Sequence, residues 1–122
     1  MRFLVDSVIV IDHFNGIESA THFLSEQGSV CAFSVITRAE VLTGFDDASQ
    51  PLALEMLDAF ATLPITLEVA DLAAKLRRTQ RWKLPDAFQA ALAIQHELTL
   101  VTRNTRDFQS GGGLDVLIPY RP

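Results

Sequence analysis

The stretch of sequence that decides the fold is residues 84–109, LPDAFQAALAIQHELTLVTRNTRDFQ. Apart from two glutamines, its first half is apolar almost all round, which predicts a helix lying in the protein core. The short apolar run at 98–102 predicts a strand buried on both faces. A carboxylate stands at each end of this unit, Asp86 in the first helical turn and Asp107 just past the strand. Because an isolated acid beside a core is costly, the rest of the sequence must compensate these two.

Length and composition bound the class of protein. The chain has 122 residues, of which 48% are hydrophobic, so we predict one compact domain spanning residues 1–122 with a full core. It contains no run of 18 apolar residues and no secretory signal pattern, so neither a membrane span nor secretion is expected. The single cysteine, Cys31, cannot form an internal disulfide and is predicted to be a buried hydrophobe. A reducing, cytoplasmic setting fits best.

Charge is unevenly distributed along the chain. The net charge of −5 argues against broad, purely electrostatic binding of nucleic acid. Yet half of the ten Lys and Arg residues fall within residues 75–83, namely Lys75, Arg77, Arg78, Arg81 and Lys83. This segment is either a solvated helix face and loop or a local patch for phosphates or an acidic partner. Its position directly before Asp86 keeps the second interpretation open.

Hydrophobic periodicity and turn signals predict strands that alternate with helices. We predict strands at 3–5, 29–33, 63–67, 98–102 and 114–118, and helices at 8–11, 18–27, 34–44, 51–62, 68–80 and 84–94. This alternation predicts an α/β protein, a three-layer α/β/α fold whose central, mainly parallel sheet has about five strands joined by right-handed crossovers. In such a sheet the ligand lies beyond the carboxyl ends of the strands. The glycines at 111–113 predict a turn, and they lack the residues of a P-loop.

Two helix assignments carry specific expectations. The β-branched run 8–11 also suits a strand, but Asp6 and Ser7 are good N-cap residues and a breaker follows at 15–16, so a short helix is preferred. The helix at 34–44 is predicted to face the core through Val35, Ala39 and Leu42.

Four acids fall at the carboxyl ends of strands or in the helical turns above them. Asp6 follows the first strand, Glu40 lies one turn into the helix after the second, Asp86 opens the helix that leads to the fourth, and Asp107 follows the fourth. Because these ends share one edge of a parallel sheet, the acids can meet in one cleft.

Each acid also has a purely structural interpretation. Asp6 can cap a helix, and Glu40 follows Thr37 with the spacing of a capping box. Asp86 suits the first turn of a helix electrostatically, and Asp107 can be a turn residue. The joint placement of the four acids at one edge favours a functional site over four separate caps and turns.

Clustered carboxylates require a cation or bound protons. At a separation near 5 Å and an effective dielectric constant near 20, each pair repels by roughly 3 kcal/mol. Oxygen ligands without nearby His or Cys favour Mg²⁺ or Mn²⁺, and the three histidines show no zinc spacing. Carboxylate-bound Mg²⁺ is suited to phosphodiester hydrolysis, and it also lets an acidic protein approach a polyanion.

The sequence resembles PIN-domain ribonucleases, most closely the VapC-type toxin of VapBC toxin–antitoxin pairs. The resemblance covers nearly the whole chain, and its motifs occur in the family's order and spacing. They are Phe3–Ser7, Ser34–Gly44, Leu84–Ala87, Leu100–Phe108 and the ending Ile118–Tyr120.

The resemblance implies a PIN-like fold and a Mg²⁺- or Mn²⁺-dependent endoribonuclease that acts as the toxin of a type II toxin–antitoxin system. Asp6 and Asp86 are implied to hold the metal, with Glu40 and Asp107 contributing directly or through water. Ser7 and Asn104 are implied to be supporting polar residues. Position 104 is often acidic in other branches, so the residue nearer the metal, Asn104 or Asp107, stays open.

The same resemblance implies partners. They are an RNA substrate, a cognate VapB-type antitoxin whose tail enters the acidic groove, and a second copy of the chain in a homodimer and a toxin–antitoxin hetero-oligomer, with no membrane involved. An arginine from the tail would suit the acids. Possible RNA contacts are Arg77, Arg78, Arg81 and Lys83. The sequence does not choose among transfer, ribosomal and messenger RNA, nor between one metal and two.

Two alternatives belong to other functional classes. A receiver-type signalling domain also places acids at strand ends, but it needs an acid pair after the first strand and a lysine near the last. Here Asp6 stands alone after the first strand, and the last leads to Ile118–Tyr120. A catalytically silent PIN-like binding module is the second alternative, and the complete acidic set argues against it.

Overall fold

The structure is a computed structural model that describes residues 1–106, 108 and 113–121. The predicted site residue Asp107 and two glycines of the predicted turn, Gly111 and Gly112, lie outside the described residues. The organisation of residues 1–122 as one domain stays a prediction.

The described residues form one sheet of five strands. These are β1 (Phe3–Val5), β2 (Cys31–Ser34), β3 (Ala61–Leu63), β4 (Thr99–Val101) and β5 (Val116–Leu117). The strands are ordered β3-β2-β1-β4-β5, and every neighbouring pair is parallel. The predicted parallel sheet of about five strands is therefore confirmed.

Helices connect the first four strands in succession, as the alternating pattern predicted. They are α1 (Ser7–Phe14), α2 (Glu18–Gln27), α3 (Val35–Leu42), α4 (Gln50–Asp58), α5 (Leu67–Gln80) and α6 (Leu84–Gln95), with a short 3-10 helix at Gly28–Val30. Two of the helices start at hydroxyl caps: Ser34 accepts from the Thr37 N–H, and Thr66 accepts from the Val69 N–H. Such caps satisfy amide groups that have no partner within the helix.

Side chains point alternately to the two faces of the sheet, which divides the interior into two cores and so produces three layers. Leu4, Ala32 and Leu100 point to a core built with α5 and α6. Their neighbours Phe3 and Val5 point to the opposite core, together with residues of α1, α2, α3 and α4. Successive side chains on a strand face opposite sides, so the central strands β1, β2 and β4 are buried on both faces, whereas the edge strands β3 and β5 are partly exposed. The predicted α/β/α architecture follows from this arrangement.

Helix α6 is the central helix that its composition predicted. Its buried residues are Ala87, Gln89 and the run 90–93. Because apolar side chains cover almost the whole surface of this helix, its burial removes few polar groups from water. The buried amide of Gln89 is the exception, and it lies next to the site described below.

Two predictions about local structure were wrong. The third strand was predicted at 63–67, around Pro64, and lies instead at Ala61–Leu63, because proline has no N–H for the sheet and marks the end of this edge strand. Helix α4 accordingly ends at Asp58. Val35 and Ala39 were expected to face inward, and both are exposed.

The inward face of α3 carries Thr37 and Val41 instead. The helix starts directly at the end of β2 with Ser34 as its cap, and this junction fixes its rotation. Thr37 can lie inside because it finds hydrogen-bond partners there, which a count of apolar residues does not reveal.

Among the described residues, no helix combines the length and the apolar character that crossing a bilayer requires.

Candidate functional site

The topology creates a crevice between β1 and β4. From β1 the chain continues to β2 and β3 on one side, whereas β4 and β5 lie on the other. Such a change of direction is where open parallel sheets bind ligands. Asp6 follows β1 and Thr102 follows β4, and the Thr102 hydroxyl donates a hydrogen bond of 2.7 Å to Asp6 Oδ2.

Asp6 is nearly buried and is held by neutral donors. The residue is 7% exposed. Its Oδ1 accepts from the Ser7 N–H at 2.9 Å and from Gln89 Nε2 at 3.4 Å. It therefore caps α1, as one interpretation of the sequence predicted. However, no Lys, Arg or His among the described residues forms an ion pair with it. A buried carboxylate without a cation is unusual, because burial disfavours the charged form.

Glu40 brings a second carboxyl group close to Asp6. Its pKa is raised, first because its carboxyl is partly desolvated and further because of the negative charge on Asp6, while a hydrogen bond from Ser7 opposes the shift. The capping-box interpretation of Glu40 is wrong, since Ser34 is the N-cap of α3 and Thr37 lies inside the helix. Asp6, Ser7 and Glu40 therefore lie near one another, and their role in a functional site stays a prediction.

Asp86 is placed by the helix that carries Gln89. It lies in the first turn of α6, where a negative charge is favourable, and it is partly buried. Residues three apart share a helix face, and Gln89 on that face reaches Asp6. The first turn of α6 is therefore directed towards the same crevice.

The segment after β4 forms the remaining wall. The Asn104 N–H donates to Thr102 Oγ1 at 2.9 Å, so the turn is tied to the residue that contacts Asp6. The Phe108 N–H donates to the Asn104 carbonyl at 3.2 Å, and the Phe108 side chain is 2% exposed in the α5–α6 core. Asp107 lies outside the described residues, and its predicted role stays a prediction.

Within the described part of the chain, no three Asp, Glu, His or Cys side chains come together as a metal-binding group. Asp6 and Glu40 are near enough for the charge of Asp6 to raise the pKa of Glu40. Their oxygen donors are of the kind that Mg²⁺ and Mn²⁺ prefer, so the chemistry of this pair fits the predicted cation. The full ligand set of Asp6, Glu40, Asp86 and Asp107 remains a prediction.

The predicted RNA-contacting residues flank the start of α6. Arg77, Arg78, Arg81 and Lys83 are all exposed. The segment joining α5 to α6 turns sharply at Arg81, which has a φ of 59°. Arg77 Nη1 donates to the Trp82 carbonyl at 2.8 Å, so Arg77 also stabilises this turn.

Four buried polar side chains, two of them hydrogen-bonded to Asp6, were not predicted from the sequence. Ser34, Thr37, Gln89 and Thr102 are each at most 1% exposed. The available signal was Gln89 itself, a polar residue inside an otherwise apolar helix, which requires buried partners.

Fold and site together define an α/β protein with an acidic crevice at the switch point of a parallel sheet. The chain belongs to the PIN-domain family, because the model of that family matches residues 3–113. This membership excludes the receiver-type alternative.

Similar proteins agree with this family. The chain is 31% identical to Ribonuclease VapC10 of Mycobacterium tuberculosis, strain H37Rv, over 112 residues that cover 86% of this chain and 84% of that protein. A toxin–antitoxin complex from Klebsiella pneumoniae contains a similar chain, with 36% identity, a TM-score of 0.84 and 98% of each chain covered. VapBC2 from Rickettsia felis, bound to a promoter DNA fragment, shares the fold with a TM-score of 0.82 and 20% identity, covering 96% of this chain and 98% of that chain.

Proposed function

We propose that this protein is a Mg²⁺- or Mn²⁺-dependent endoribonuclease and the toxin of a VapBC-type toxin–antitoxin pair. The observation that carries the proposal is Asp6, which is 7% exposed, held by neutral donors and close to the carboxyl of Glu40. A site of this kind is built to receive a cation. Family membership and the similarity to a protein named as a ribonuclease support RNA as the substrate.

In this proposal Asp6 and Asp86 hold the metal, and Glu40 and Asp107 contribute directly or through water. When bound by these residues, Mg²⁺ or Mn²⁺ would supply the positive charge that activates a water molecule and balances the phosphate. Ser7 donates to Glu40 and therefore orients that carboxyl, and its hydroxyl can also meet the metal or a phosphate oxygen. Asn104 supports the turn after β4.

The exposed basic segment gives RNA a second point of contact. Phosphate contacts position a nucleic acid without reading its sequence. Arg78 and Arg81 are the better test residues, because Arg77 also stabilises the α5–α6 turn. We expect Arg78→Gln with Arg81→Gln to weaken RNA binding and to leave Mn²⁺ binding unchanged.

The control for the basic segment is Arg2→Gln. Arg2 is exposed and stacks on Phe3 at 4.9 Å, at the amino edge of the sheet and away from the crevice. RNA affinity that is equal in the double variant and in the wild type would remove the basic segment from the proposal.

The proposed partners are an antitoxin of the VapB type and a second copy of the chain. The support is that a solved chain 36% identical to this one comes from a structure described as a toxin–antitoxin complex. Co-expression with a candidate antitoxin of the VapB type, followed by light scattering, tests both assemblies. The proposal places the protein in the cytoplasm, a setting that suits a free buried thiol such as Cys31.

The deciding experiment combines metal binding with RNA cleavage. Metal at ten times its dissociation constant should stabilise the wild type by roughly 1.4 kcal/mol, and this gain should shrink in Asp86→Asn. Cleavage of end-labelled RNA should require Mn²⁺ or Mg²⁺ and stop with a chelator. If Asp6→Asn and Asp86→Asn cleave RNA as fast as the wild type, the assignment of the site is wrong.

A further inference from the structure

Gln89 is the most deeply placed amide of the site, and its role is not explained by core packing. It is 1% exposed in the middle of α6, among buried alanines and Leu92. An apolar residue would fill this position without any need for partners. The amide instead contacts the ends of β1 and β2 and the first turn of α3.

The hydrogen bonds around this amide have one consistent set of directions. The Ser34 hydroxyl donates to Gln89 Oε1. The two N–H groups of Gln89 donate to Thr37 Oγ1 at 2.8 Å and to Asp6 Oδ1 at 3.4 Å. The Thr37 hydroxyl in turn donates a hydrogen bond of 3.4 Å to the Val5 carbonyl. Among the described residues, no buried side-chain nitrogen or oxygen lacks a partner, so the network is complete.

The network lies one helical turn from both carboxylate-bearing positions. Asp86 precedes Gln89 by three residues on α6, and Glu40 follows Thr37 by three residues on α3. Because residues three apart are neighbours on a helix surface, the Gln89–Thr37 bond fixes the two helices directly beneath these acids. The additional bond to Asp6 ties both helices to the end of β1.

We propose that Gln89 is a positioning residue that sets the relative placement of Asp6, Glu40 and Asp86 and thereby the affinity of the site for its divalent metal. The inference rests on the proposed metal-dependent function. Groups that hold metal ligands in place typically change metal affinity by about 10–100-fold when they are removed. Gln89 does this from below the site, without touching the metal.

The test compares two glutamines of the same helix. Gln89→Met keeps the length of the side chain and removes its amide, and Gln95→Met does the same at an exposed position, where the amide donates to Glu68 at 3.0 Å. Mn²⁺ affinity is measured by calorimetric titration of metal-free protein. We expect the dissociation constant to rise about tenfold or more in Gln89→Met and to stay unchanged in Gln95→Met.

A second variant separates positioning from folding. Gln89→Met leaves the hydroxyls of Ser34 and Thr37 with fewer partners and should also lower stability. Gln89→Leu combined with Thr37→Val removes two partners together, which can be nearly neutral for stability. If Gln89 positions the carboxylates, this folded double variant still binds Mn²⁺ weakly, and its RNA cleavage recovers at saturating Mn²⁺.

The outcomes are distinguishable. Wild-type Mn²⁺ affinity in either folded Gln89 variant overturns the positioning role and leaves the proposed function intact. A wild-type protein that does not bind Mn²⁺ overturns the proposed metal site, and the role of Gln89 with it.

Discussion

Asp6 and Asp12 stand near opposite ends of α1, and each is 7% exposed, yet their surroundings differ. Asp12 receives a bidentate contact from Arg103, with Nε at 2.6 Å and Nη2 at 2.9 Å, and a hydrogen bond of 2.7 Å from the Tyr120 hydroxyl. Asp6 receives donors that carry no charge. The two carboxylates are therefore equally buried, but of the two only Asp12 has a cationic partner among the described residues.

The pKa shifts follow this difference. The hydrogen bonds from Arg103 hold the pKa of Asp12 below its ordinary value, against the effect of burial. Burial and the charge of Asp12 raise the pKa of Tyr120. In the other region, desolvation and the charge of Asp6 raise the pKa of Glu40. A compensated carboxylate stabilises the fold, whereas an uncompensated pair is available to a cation from outside.

The largest expected effect is a loss of RNA cleavage when Asp6, which has no cationic partner among the described residues, is changed. Asp6→Asn should lower the rate of RNA cleavage at least about a hundredfold, the scale of losing one charge-stabilising group in an active site. Asparagine is also a good N-cap, so thermal unfolding should show little change. The matched control is Asp71→Asn at an exposed position of α5, and a hundredfold loss there would mean that the assay does not report on the site.

The next largest effect is a loss of stability when Asp12 loses its cationic partner, Arg103. Arg103→Gln leaves the Asp12 carboxylate nearly buried without its cation and should cost about 2 kcal/mol. For a chain of this length that is a fall in Tm of about 8 °C, measured by calorimetry.

The control for Arg103 is Arg38→Gln. Arg38 pairs with Asp58 at 2.8 Å, but the Asp58 side chain is 63% exposed, so the loss should be below about 1 kcal/mol. Equal losses in the two variants would show that burial does not distinguish these pairs.

At low pH the Asp12–Arg103 pair should stop contributing to the free energy of unfolding. The folded-state pKa of Asp12 is depressed, so its contribution is fully present above its unfolded pKa and is lost as the pH falls through the folded value. The difference in unfolding free energy between the wild type and Arg103→Gln should thus be constant above about pH 5 and narrow below about pH 4. Urea titrations across this range measure it, and a gap that widens in acid contradicts the pairing.

The smallest expected effect is a slight gain in stability, in contrast to the loss expected for Arg103→Gln. The folded-state pKa of Glu40 is raised, so ionising this carboxyl costs stability as the pH rises through its unfolded value. In metal-free protein, Glu40→Gln should be slightly more stable than the wild type at pH 7 and equal to it in acid. Added Mn²⁺ should reverse the order, as urea unfolding with and without the metal will show. A variant that is less stable at pH 7 without metal would place Glu40 among the compensated acids.

Local patterns predicted much of the fold because they are read within one segment. The apolar surface of α6 predicted its burial, and the alternation of strands and helices predicted the parallel sheet. Because the carboxyl ends of parallel strands share one edge of a sheet, the sequence also predicted that Asp6 and Glu40 lie close together. One failure was local, because Pro64 ends β3 earlier than predicted. The other depended on a distant residue: Thr37 lies inside, where Gln89 supplies a partner, and the inward face of α3 shifted with it.

The sequence by itself determined the order of elements, the apolar core and the positions of the acids at strand ends, since periodicity and capping depend on residues a few positions apart. The sequence did not determine which buried aspartate would have a cationic partner. The partners of Asp12 lie 91 and 108 residues away in sequence, and Gln89 lies 83 residues from Asp6. Only the packing of the sheet brings these groups together, and the interior charge balance that separates a structural aspartate from a functional one arises from that packing.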